Sequence, residues 1–272
     1  MFLAPEEFVE QAYFFRTLGE RMQMDMSTQD LLESLRQEVL ATTKLPMALE
    51  FMVQELRHTG GFATAMARLA HYFTPFQTFV VAEAESDTGR FDFRIATKIL
   101  EKDADYRAKS PSVQGIFLYQ FETLCRNRLG YDRGLEAMAR DPAYDDAWRE
   151  WILTVRRQIG IIDFADMIYV RSQHYLRHHD RVDKPILFGE KEGQIALANR
   201  RKDPLFLFSA LQRHLGYPAV PRPAREKSVD DVLPQLQRRL KQVEMRLQLL
   251  EEELRGGINL SRFYGPPKPE EK

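Results

Sequence analysis

Apolar residues recur at spacings of three and four along most of this chain, and few stretches show the alternation of a half-buried strand. Phe8, Ala12, Phe15 and Met22 fall on one face behind Pro5, which suits a first helical position, and Glu6 and Glu7 complement the positive end of the helix dipole. Ser27 with Asp30 three residues later resembles a capping box, and Leu32, Leu35 and Val39 supply the buried stripe that follows. Pro46 restarts a helix that stops at Gly60 and Gly61. The same spacing predicts helices over 62–72, 75–85, 91–109, 113–129, 132–140, 144–158 and 161–179.

The pattern changes after Pro185. Apolar runs at 186–188 and 194–197 flank a glycine-containing stretch, which predicts a small β-hairpin over 186–197 lying on the helical body. Asp203 and Pro204 then open a helix carrying Leu205, Phe208, Leu211 and Leu215, with Gly216 as its stop. The predicted fold class is therefore mainly α: a multi-helix body over 1–217 with one hairpin, followed by a C-terminal coiled-coil helix.

Pro218, Pro221 and Pro223 stiffen a connector over 218–230. Beyond it, Leu233, Leu236, Leu240, Val243, Leu247, Leu250 and Leu254 alternate spacings of three and four, the signature of a coiled-coil seam in a helix over 231–256. With Leu233 at a, a parallel pair would set Arg239 against Glu244 of its partner and Arg246 against Glu251, both attractive. An antiparallel pair in the central register would oppose each of these residues with itself. Exposed pairs contribute only about 0.2 to 1 kcal/mol, so they bias orientation while burial of the apolar seam drives association. The alternative is that the stripe folds back on its own helical body. Gly256 and Gly257 end the helix, and a proline-containing tail over 257–272 reads as disordered.

Composition narrows the picture. The chain has 272 residues, 44% of them hydrophobic and 11% aromatic, enough for a packed core. A net charge of -1 implies no global field toward nucleic acid or membrane, although residues 1–60 hold ten acids against five bases and 171–225 hold eleven bases against five acids. Cys125 is the single cysteine, which excludes an intrachain disulfide and a thiolate metal cage. The N-terminal residues lack the basic and apolar regions of a signal peptide, and no apolar run approaches the length of a membrane span, so the expected address is the cytoplasm.

Candidate chemistry is sparse. Asp163 and Asp166 interrupt an apolar run with a spacing that puts both carboxylates on one helix face, where they could share a proton or a divalent ion, with His174 as a possible third group. The plainer role is pairing with arginines such as Arg126, Arg128, Arg156 or Arg157. Glu55 and His58 form one Glu-x-x-His step where a di-iron bundle uses two, and His174 with His178 lacks a third ligand nearby in sequence. Nucleophile elbows, phosphate loops and dinucleotide fingerprints are absent. Arg200, Arg201 and Lys202, and later Arg238 and Arg239, are short basic clusters, yet the residues before the zipper are proline-rich with Asp230 and Asp231, unlike a DNA-binding basic region. No cofactor is expected, and the leading expectation is a self-associating scaffold or adaptor without catalytic activity, with a helical enzyme or small-ligand or metal-binding protein using Asp163, Asp166 and His174 as the alternative.

Two resemblances add to this. Residues 134–148, Gly-Leu-Glu-Ala-Met-Ala-Arg-Asp-Pro-Ala-Tyr-Asp-Asp-Ala-Trp, resemble the junction between tetratricopeptide repeats, which implies one helix-turn-helix since no second copy follows. Residues 8–16 (Phe-Val-Glu-Gln-Ala-Tyr-Phe-Phe-Arg), 71–79 (His-Tyr-Phe-Thr-Pro-Phe-Gln-Thr-Phe) and 215–223 (Leu-Gly-Tyr-Pro-Ala-Val-Pro-Arg-Pro) resemble a family of uncharacterised planctomycete bacterial proteins. That resemblance spans residues 1 to about 223, leaves the zipper outside, implies a bacterial cytosolic protein and transfers no catalytic residues.

Overall fold

A computed structural model describes residues 3–22, 27–86, 91–179 and 184–223. The chain divides into two units, Met1–Pro223 and Ala224–Lys272. The connector beyond Pro223, the heptad helix and the tail all lie outside the described residues. Among the described residues the structure is helical and contains no sheet.

The first half consists of α1 (Pro5–Arg21), α2 (Thr28–Glu38), α3 (Leu45–Thr59), α4 (Phe62–Arg68), α5 (Pro75–Glu85) and α6 (Phe93–Arg107). Ser27 caps α2 by accepting from Asp30 N at 3.1 Å, as its sequence predicts. At α5 the Thr74 hydroxyl accepts from Gln77 N while the Gln77 side chain accepts from Thr74 N, a reciprocal box sealed inside the body. α4 lacks a local cap. Its first two amides donate instead to the Glu85 carboxylate at the end of α5, at 2.6 and 2.7 Å, which fixes the α4 and α5 pair.

The second half comprises α7 (Val113–Asn127), α8 (Tyr131–Ala139), α9 (Asp146–Gln158), α10 (Phe164–Tyr169), α11 (Gln173–His178), α12 (Glu190–Ala198) and α13 (Pro204–Leu215). α7 is the central post, for every residue from Gly115 to Leu124 is buried. Phe117 meets Trp151 at 4.8 Å between ring centroids and Phe121 meets Phe164 at 4.3 Å, so one helix gathers aromatic rings from α9 and α10. Phe208 of α13 joins the same cluster. α8 and α9 form the helix pair implied by the repeat-like junction, turning at Asp141 and Pro142.

Three expectations require correction. The hairpin predicted over 186–197 is not formed: Glu190–Ala198 is helical, with Glu190 and Glu192 in its first turn, and Phe188 makes an isolated parallel bridge with Ser172. Gly193 signalled a turn in the sequence but serves close packing, since a Cβ there would lie 2.6 Å from Ser172 Cβ and 2.7 Å from His174 Cβ. The single helix predicted over 161–179 is split into α10 and α11, because Leu187 N and Phe188 N both donate to Arg171 O while Gln173 N donates to Phe188 O. Met22, expected on the buried face of the first helix, lies past its end and is exposed.

Candidate functional site

Asp163 and Asp166 lie at the start of the short helix α10 rather than within a longer one. Asp163 is the N-cap of α10, accepting from Ala165 N at 3.0 Å through Oδ1 and from Arg201 N at 2.6 Å through Oδ2. Asp166, one turn later, is ion-paired with Arg200. Both carboxylates thereby anchor the turn between α12 and α13 on α10. The arginine is not Arg126, Arg128, Arg156 or Arg157, because α12 packs on α10 and brings Arg200 to it.

His174 faces a different partner. Its Nδ1 lies 2.7 Å from Glu190 Oε1, and this hydrogen bond holds the Glu190 carboxyl below its usual range. His178 Nδ1 is engaged with His174 O, and the two imidazoles lie tilted by 59° at 4.5 Å between centroids. Glu55 pairs with Arg68 at 2.7 Å, and His58 is exposed. Among the described residues, no three His, Cys, Asp or Glu side chains group in a way that could hold a metal ion. Cys125, on α7, is half-buried against the core, and burial pushes its thiol up to about 11, opposite to the shift a nucleophile needs.

The strongest electrostatic feature was missed by sequence reasoning. Arg107, at the end of α6, donates through Nε to Asp103 at 2.8 Å and through its two terminal nitrogens to Asp141 at 2.5 and 3.3 Å. All three side chains are buried. Gln120 Nε2 donates to Asp141 at 3.1 Å, Tyr144 OH donates to Gln120 Oε1 at 2.7 Å, and Ala143 N donates to Asp141 at 3.0 Å. Asp141 thus accepts four hydrogen bonds and ties α6, α7 and the turn before α9 together. Burial works against the Arg107 charge, but the fields of Asp103 and Asp141 outweigh it and leave the guanidinium's pKa raised. Burial raises the Asp103 pKa, opposed by Arg107. The available signal was Asp103 and Arg107 four residues apart on the same stripe as Ile99, Leu100 and Ala104.

Beside this network lie two cavities, of about 170 and 310 Å³, that share Leu3, Phe8, Arg107 and Ala143 in their walls. Their lining is mainly apolar and they border the N-terminal end of α1. Asp141 reaches the smaller one with its lone pairs already used. The Asp163, Asp166 and His174 group does not line either cavity.

Comparison with protein-family models, with curated proteins and with solved structures finds no match to this chain.

Proposed function

We propose that this protein is a cytosolic, self-associating scaffold or adaptor without catalytic activity, joined to its like through a parallel coiled coil of the helix over 231–256 and presenting its helical body to another protein. The observation that carries this reading is the seven-position seam Leu233, Leu236, Leu240, Val243, Leu247, Leu250 and Leu254, which follows the body in sequence. Two structural facts support it. The body over Met1–Pro223 is a compact unit with its own aromatic core. The polar groups suggested for chemistry are engaged in capping and ion pairing with separate partners, which favours a load-carrying framework over a site built on Asp163, Asp166 and His174.

Size-exclusion chromatography with light scattering tests it on the full chain and on a chain ending at Arg225. An oligomer for the first and a monomer for the second is the expected outcome. Two monomers would remove the basis for the reading.

A further inference from the structure

Four apolar side chains stand out of the surface where α9 leads into α10 and where α12 leads into α13: Ile161 is 82% exposed, Phe206 63%, Leu205 46% and Ile162 40%. The two turns that carry them are tied to each other by the bond from Arg201 N to Asp163 Oδ2 and by the pair of Arg200 with Asp166. Those contacts press the turn after α12 against the entry to α10, immediately beside residues 161 and 162. Ile161 and Phe206 are more than half exposed, and none of the four lines either cavity beside Arg107. A docked helix needs a groove for its apolar stripe, whereas a fluid interface does not.

The charges around these side chains favour an anionic surface. Arg201 and Lys202 are exposed and have no acidic side-chain partner among the described residues. The nearby acids are engaged: Asp163 receives two backbone amides, Asp166 holds Arg200, and Asp203 caps α13 by accepting from Leu205 N. Within the described residues of 171–223 there are nine bases against three acids, and counting Asp163 and Asp166 with them still leaves nine against five. α12 packs on α10, α11 and α13, so the segment with this excess includes the helices on either side of the turn that carries Arg201 and Lys202. The near-zero net charge of the chain conceals it, because residues 1–60 are acidic by ten to five.

We propose that Ile161, Ile162, Leu205 and Phe206, with Arg201 and Lys202, form a face that docks reversibly on an anionic lipid surface. The apolar side chains enter the boundary between headgroups and acyl chains, and the two cations meet acidic headgroups. No helix among the described residues is long and apolar enough to cross a membrane, so the contact is peripheral. Each cation near an acidic leaflet strengthens partitioning roughly fivefold, and added salt screens that gain.

The test is co-sedimentation of the full chain with vesicles of phosphatidylcholine alone and of phosphatidylcholine with about 30% phosphatidylglycerol. The expected result is pelleting with the anionic vesicles only, reversed near 1 M salt. The pair Arg201→Glu with Lys202→Glu lowers partitioning by at least about tenfold, and Leu205→Ser with Phe206→Ser does so separately. Circular dichroism checks that each variant keeps its helices, and Ile161→Asp, at the most exposed position, replaces any that does not. Equal pelleting with both vesicle types would overturn the proposal, as would variants that pellet like the parent, since the contact would then belong to other residues such as 224–272. No pelleting with either vesicle also overturns it and leaves an acidic polypeptide as the occupant of this face.

Discussion

Arg107 decides how the body tolerates change at single positions. Its guanidinium is buried between Asp103 and Asp141, and removing Asp141 leaves its two terminal nitrogens and the Gln120 amide as buried donors without their acceptor. Asp141→Ala is expected to destabilise the chain by about 3 to 5 kcal/mol in urea unfolding, well beyond a surface ion-pair deletion. Acid titration separates two kinds of carboxylate. Hydrogen bonds from Arg21 and Arg156 hold Glu38 and Asp132 below their ordinary pKa values, so their stabilisation is complete above the unfolded-state pKa and is lost as pH falls through the lower folded value. Asp103 has the opposite sign. Its folded pKa is raised by burial, so its contribution is greatest below the unfolded pKa and declines as pH rises toward the folded one. Urea midpoints between pH 3 and 7 are therefore expected to fall less on acidification for Arg21→Met than for the parent chain, and equal falls would contradict the Glu38 assignment. Cys125, with its thiol pushed up to about 11, is expected to react with a thiol reagent at neutral pH far more slowly in the native chain than in urea.

At the scale of elements, close approach between helices sets the tolerances. A Cβ at Gly134 would stand 2.6 Å from Leu124 Cδ2 and 3.2 Å from Phe79 Cε1, so α8 sits against α7 and α5 with no room for a methyl group. Gly134→Ala is expected to cost about 1 to 3 kcal/mol by thermal or urea unfolding despite alanine's better helix propensity; a stabilised variant would contradict this packing. Helix starts were the most legible part of the fold, because Pro5, Ser27, Pro75 and Pro204 act through local geometry that a sequence states directly. The stretch over 161–198 was less legible. There, backbone groups of Arg171 and Gln173 bond to residues about fifteen positions away, and a short apolar run such as Ile195, Ala196 and Leu197 fits helix and strand alike. The candidate site divides along the same line. Asp163 and Asp166 were visible as acids in an apolar run, but their partners Arg201 and Arg200 lie on another helix's far end. Asp141 read as a breaker beside Pro142, with nothing local to reveal Arg107 thirty-four positions earlier.

For the whole molecule, two features meet: a compact helical body over Met1–Pro223 and a heptad stripe beyond it. Association through that stripe would multiply any weak surface contact of the body, because linked copies engage a shared surface at high effective concentration. In the proposed association, leucine at every a position would provide the apolar drive, and pairing of Arg239 with Glu244 and of Arg246 with Glu251 would favour parallel chains. The most direct measurement is the mass in solution, by light scattering, of the full chain and of a variant with Leu240→Asp and Leu247→Asp at two seam positions. The account predicts a defined oligomer for the parent and a folded monomer for the variant, with helical content of the body retained. A parent chain that is monomeric at tens of micromolar, or a variant that keeps the parent's mass, would contradict it.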